Sequence, residues 1–192
     1  MKTLVYGGSG SGKSAYAESL ALESACEKRF YVATMKILDD EGERKVMRHR
    51  KLREGKNFIL VEQTENIGEV SDKLGGYCNG RKSSGNFALL ECMSNLVANE
   101  MFGENRQVPS ADEVAQKVCH DMEEFLAAFD DVVVVSNNIF EDGIEYDESV
   151  REYMKALGIV NRWLSKNFDR VVEVVAGIPV EVKNENLIGR KS

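Results

Sequence analysis

Apolar residues arrive along this chain in short runs closed by turn residues, with stretches of helical spacing between them. "KTLVY" (2–6), "FYVAT" (30–34), "FILVE" (58–62) and "FALLE" (87–91) read as strands. "VVVVSNN" (132–138) is β-branched and apolar on both faces, as the inner strands of a parallel sheet are. "RVVEVVAG" (170–177) and "PVEVK" (179–183) supply one or two final strands. Between these runs the spacing predicts helices over "SAYAESLALESA" (14–25), "DDEGERKVMRHRKLR" (39–53), "CMSNLVANEMF" (92–102), 110–129 and 147–167. Ser110 stands where the fourth of these helices needs an N-cap, and the glycine- and serine-rich stretch from Gly75 to Gly85 reads as a loop. Strand–helix alternation of this kind predicts an α/β fold, a mostly parallel sheet with helices on both faces.

Size and charge narrow the picture. At 192 residues, with no repeat, low-complexity tract or proline-rich linker, the chain reads as a single nucleotide-binding domain spanning 1–192. A net charge of −7 argues against a general nucleic-acid binder. "MKTLVYGG" leaves no room for a signal peptide, and no run is long enough for a membrane span. The four cysteines, Cys26, Cys78, Cys92 and Cys119, form no C-x-x-C pair. They read as reduced thiols of a cytoplasmic protein, not as a zinc site or a disulfide frame.

The first glycine cluster carries the clearest chemistry. "GGSGSGKS" satisfies G-x-x-x-x-G-K-[ST] over Gly7, Gly8, Ser9, Gly10, Ser11, Gly12, Lys13 and Ser14, after a strand and before a helix. Glycines let the backbone curl so that successive N–H groups face phosphate oxygens, and the helix adds its positive end. Lys13 is expected at the β- and γ-phosphates of a nucleoside triphosphate (ATP or GTP), and Ser14 on Mg²⁺. Glu91, which ends "FALLE", is the best-placed carboxylate to share that metal, whereas Asp131 precedes its strand and belongs to the opposite edge.

"RKVMRHRKLR" (44–53) packs six basic side chains around His49 in an acidic protein. On a helix His49 shares a face with Lys45 and Arg53, while Arg48 and Arg50 diverge from it by about 100° each. Two readings stand. The segment is a solvated amphipathic face, the simpler reading on composition alone, or it handles a polyanion. Neighbouring cations disfavour imidazolium, and a neutral imidazole is the form able to attack phosphorus. His120, in "KVCHDMEE", has no basic neighbourhood and reads as structural.

Taken together, "LVYGGSGSGKSAYAE", "FYVAT", "DDE" (39–41), "RKVMRHRKLR", "FALLECMSNLVAN", "VVVVSNN" and "VVAGIPVEVK" resemble the bifunctional adenosylcobinamide kinase / adenosylcobinamide-phosphate guanylyltransferase family, nearly end to end. The resemblance implies a P-loop NTPase-type (RecA-like) fold and a homo-oligomer. It implies NTP-dependent phosphorylation of a corrinoid, adenosylcobinamide. GMP then passes from GTP to the product through a guanylylated His49, with release of pyrophosphate. Within it, Arg48, Arg50 and Arg53 neutralise phosphate charge, and Glu62 and Glu91 join the nucleotide-binding set. The chain departs from the family pattern at Asn138, where a glutamate is usual, and at Met154 and Lys155, where Arg-Asp is usual. A P-loop small-molecule kinase with one activity, or a nucleotide-binding module without turnover, are the alternatives. The helix "EYMKALGIVNRWL" could meet a neighbouring subunit, but its apolar stripe reads more simply as facing the core.

Overall fold

The structure, a computed structural model, describes residues 1–37, 44, 47, 55–74, 85–103, 108–140 and 143–185. His49, Arg48, Arg50 and Arg53, most of the predicted 39–53 helix, and nearly all of the 75–85 loop lie outside the described residues. Seven strands form one sheet: β1 (Lys2–Gly7), β2 (Lys28–Ala33), β3 (Phe58–Glu62), β4 (Asn86–Glu91), β5 (Asp131–Asn137), β6 (Arg170–Val175) and β7 (Ile178–Asn184). Their spatial order is β3-β2-β4-β5-β1-β6-β7, parallel throughout except for β7, which pairs antiparallel with β6. Every predicted strand forms, with ends shifted by one or two residues.

Burial explains the centre of the sheet. Val132 to Val135 are all buried and alternate between the two faces, so β5 can have only an interior place. One face, carrying Leu4, Phe30, Leu90 and Val134, is covered by α3 (Met93–Met101), α4 (Ala111–Ala127) and α5 (Glu148–Asn167), labelled after α1 (Lys13–Glu23) and the short α2 (Val70–Lys73). The other face, carrying Val5, Leu89 and Val135, packs on α1 through Ala17 and Ala21. α2 and the 3₁₀ turn Ile67–Glu69 before it have no counterpart in the sequence pattern, because elements this short show no periodicity.

Local signals hold the helices in place. Ser110 caps α4 in a capping box with Glu113, and Asp147 accepts the Val150 N–H at the start of α5. The stripe of α5 (Ala156, Leu157, Val160, Leu164) is buried against the sheet, in agreement with the core-facing reading. β6 and β7 are joined through Ala176 and Gly177, both at positive φ (49° and 82°), the two-residue turn that matches strand twist. Among the described residues no helix is long and apolar enough to cross a membrane. Cys26 and Cys92 are buried and Cys119 is partly buried, all three as free thiols. His120 is exposed on α4.

Candidate active site

β1 ends at Gly7 and α1 begins at Lys13, so the glycine motif forms the connection at the C-terminal edge of the sheet. Both flanking strands brace it. The Asn138 N–H donates to the Gly7 carbonyl (2.9 Å), and the Gly177 N–H to that of Ser11 (2.8 Å). The glycines are needed where these braces press: a Cβ on Gly7 would lie 2.5 Å from the Val174 carbonyl oxygen. Gly12, at φ 92°, would crowd Gly177 Cα at 3.3 Å. The Ser11 hydroxyl oxygen is shielded from solvent and has no hydrogen-bond partner among the described residues.

Lys13 and Ser14 leave the loop in different directions. Lys13 is buried, and its Nζ donates to the Gly8 carbonyl at 3.0 Å. Burial pushes its ammonium below the usual lysine range, opposed by charge at Cys92 and Glu91. Burial also pushes the Cys92 thiol up, so near neutrality the sulfur is uncharged. The Ser14 hydroxyl donates to Glu91 Oε1. Tyr31, one strand further out on β2, donates its hydroxyl to Glu91 Oε2 at 3.0 Å. β5 lies between β1 and β4, so Glu91 reaches Ser14 across an intervening strand, on the α1 side of the sheet.

Behind this pair runs a buried polar network. The Thr34 hydroxyl donates to the Cys92 carbonyl (2.8 Å) and accepts the Cys92 N–H (2.7 Å), fixing the turn after Glu91. Asn137, the last residue of β5 and the register partner of Gly7, donates from Nδ2 to the Ser94 hydroxyl (2.7 Å). The Tyr153 hydroxyl donates to the Ser94 carbonyl (3.2 Å), and burial pushes its pKa up to about 12, so it stays a neutral donor.

A cavity of about 840 Å³ opens beside the loop. Gly8 to Ser11 form one wall, the N-terminal part of α5 with Val150, Tyr153 and Met154 the other, and Asn137 and Glu173 lie between them. Sequence reasoning missed Tyr31 and Glu173, which sit inside ordinary-looking strands. The departures from the family pattern fall close by: Asn138 and Met154 line the cavity, while Lys155 turns outward to pair with Asp112 at 2.7 Å. Glu62 ends β3 at the same edge but is exposed, and β2, β4 and β5 separate it from β1, about 19 Å at the usual strand spacing. Asp131 lies at the opposite edge, as expected, where it holds the Met1 ammonium. Among the described residues no group of three or more His, Cys, Asp or Glu side chains gathers as a metal cage.

This arrangement brings together a glycine-rich loop at a helix N-terminus, a hydroxyl–carboxylate pair of hard oxygen atoms beside it, and an open cleft. A solved ATPase domain superposes with a TM-score of 0.58 at 10% identity, over 96% of this chain and 77% of that one, which establishes the RecA-like fold. The bifunctional adenosylcobalamin biosynthesis protein CobU of Escherichia coli (strain K12) is 29% identical over 191 residues, 95% of this chain and all of the relative. The corresponding protein CobP of Pseudomonas aeruginosa is 27% identical over 187 residues, 97% of this chain and all of the relative. The family profile described as cobinamide kinase / cobinamide phosphate guanyltransferase matches residues 3–182. With a P-loop, its carboxylate partner and an end-to-end match of this kind, the chain belongs to the CobU family, the bifunctional cobinamide kinases and cobinamide-phosphate guanylyltransferases of cobalamin biosynthesis.

Proposed function

We propose that one phosphate site serves both transfers. Nucleoside triphosphate binds with its phosphates against the N–H groups of Gly8 to Gly12 and the Lys13 ammonium. Ser14 and Glu91 would hold Mg²⁺, which supplies charge neutralisation at the β- and γ-phosphates. The contact between the Ser14 hydroxyl and the Glu91 carboxylate carries this reading, since these two oxygens converge from different elements. The shielded Ser11 hydroxyl adds a donor with no partner among the described residues. The corrinoid acceptor enters the cavity between the loop and α5, where aromatic and aliphatic side chains (Val150, Tyr153, Met154) can meet the face of the macrocycle and polar ones (Asn137, Asn138) its amide rim.

In the second reaction a neutral His49 nitrogen attacks the α-phosphorus of GTP, and pyrophosphate leaves. The phosphorylated acceptor then takes the GMP from the histidine. Arg48, Arg50 and Arg53 neutralise phosphate charge and disfavour the imidazolium form. GTP labelled at the α-phosphate should leave acid-labile, base-stable label on the protein, absent in His49→Ala and present in His120→Ala. Label that persists without His49 refutes the assignment.

We also infer a homo-oligomer. Ile178, Val180 and Val182 lie on one face of the edge strand β7 and are 65%, 46% and 57% exposed, an unpartnered apolar row next to the cleft. Val180→Lys should lower the mass measured by light scattering, and an unchanged mass would count against this face.

A further inference from the structure

Glu173 is a carboxylate that none of these roles uses. It pairs in register with Tyr6, one residue before the phosphate loop begins. Its neighbours Val172 and Val174 pack on the α1 side, so strand alternation sends Glu173 to the opposite face, into the 840 Å³ cavity. It is half-buried there and has no hydrogen-bond or ion-pair partner among the described residues. Other shielded glutamates are engaged: Glu18 with Lys56, Glu100 with Lys117 and the Asn66 N–H, and Glu91 with Ser14 and Tyr31. No lysine, arginine or histidine lines the cavity among the described residues. A half-buried carboxylate with no partner among the described residues is free to meet a ligand in the cavity.

The cavity also opens at the right end of the nucleotide site. The Lys13 ammonium, the group that meets the β- and γ-phosphates, lies 3.0 Å from the Gly8 carbonyl, and Gly8 is part of the cavity wall. Glu91 is held on the far side of the sheet by two hydroxyls, so it does not face an acceptor in this cleft.

We propose that Glu173 accepts the proton of the acceptor hydroxyl during phosphoryl transfer. This rests on the kinase reading and on the cavity as acceptor site, and is independent of His49. As the hydroxyl oxygen bonds to the γ-phosphorus, the bond from that phosphorus to the β,γ-bridging oxygen breaks. The nucleoside diphosphate leaves with the electron pair, and the hydroxyl proton passes to a Glu173 carboxylate oxygen, from which water at the open mouth removes it.

The test measures cobinamide phosphorylation by the full-length protein with saturating ATP and Mg²⁺, alongside His49 labelling from α-labelled GTP and the melting temperature. Glu173→Gln is expected to lower kcat for cobinamide phosphorylation by about 100-fold or more, with GMP labelling and melting temperature unchanged. Glu173→Asp should recover part of the rate. A kcat within about three-fold of the parent in Glu173→Gln, or a rise in the cobinamide KM alone, overturns the proposal. Should Glu173→Gln fail to fold, Glu173→Asp decides: a folded variant with full kcat and raised KM overturns it, and a lowered kcat with unchanged labelling supports it. Phosphorylation of cobinamide by the parent protein separates failure of the Glu173 assignment from failure of the kinase reading.

Discussion

Carboxylates stand at both edges of the parallel sheet and behave in opposite ways. At the N-terminal edge, Asp130 accepts the Asn86 N–H at 2.8 Å, Asp169 accepts the Lys2 N–H at 2.6 Å, and Asp131 takes the Met1 ammonium and the Ser24 hydroxyl. These short side chains sit at strand starts and close donors that the sheet itself leaves open, so they are saturated by folding. At the C-terminal edge, Glu91 meets the hydroxyls of Ser14 and Tyr31, and Glu173 has no partner among the described residues. The longer side chains face loops, where strand carbonyl ends, helix N-termini and ligands meet. The same charge clips the fold at one edge and, in the function proposed above, handles substrate at the other.

The comparison breaks hardest at Lys13. Lys13→Ala removes the cation that the C-terminal edge is arranged around, and both phosphoryl transfer and GMP labelling should fall by about 1,000-fold. Unchanged turnover in a steady-state assay would remove the loop from the mechanism. Glu91→Gln comes next, at about 100-fold in both reactions, with a raised Mg²⁺ requirement in a metal titration. A Glu91→Gln variant with normal Mg²⁺ dependence would make Glu91 one more structural clip, and the difference between the edges would lapse.

What the sequence made legible follows the same division. The loop was readable because a strand, glycines at fixed spacing and a helix start coincide within 13 residues, Lys2 to Ser14. Glu91 was readable because a polar residue closes an apolar run. Neither route finds Tyr31, whose role depends on β2 lying beside β4, nor Glu173, which reads as the polar beat of "RVVEVV". Parallel strands joined by helices leave their neighbours open, so the insertion of β5 between β1 and β4 had no local signature. The clips at the N-terminal edge were equally hidden, because an aspartate before a strand looks like any turn residue.

Tyr31→Phe sharpens the view of Glu91. It deletes the hydroxyl that donates at 3.0 Å to Oε2 and leaves the ring, which packs edge-on against Phe58. One such bond is worth about 1 kcal/mol, so kcat should drop about five-fold with little change in melting temperature. A loss of stability without a change in rate would place Tyr31 with the packing of the sheet instead.

The smallest effect is expected at the other edge. Burial alone would raise the Asp131 pKa, but hydrogen bonds from the Met1 ammonium and Ser24, together with the ammonium charge, hold it below the ordinary carboxylate value. A depressed folded pKa contributes stability that is fully present above the unfolded value, about 3.9, and is lost as pH falls through the folded one. Asp131 is also 31% exposed, so the charge contributes no more than about 1 kcal/mol. Asp131→Asn keeps an acceptor and removes only the charge. Its urea midpoint should lie slightly below the parent's from pH 5 to 7, and the gap should close below about pH 4, with both transfer rates untouched. A gap that persists in acid would mean that geometry, not charge, holds this clip. A slowed transfer would mean that the N-terminal edge reaches the active site after all, across the full length of β5.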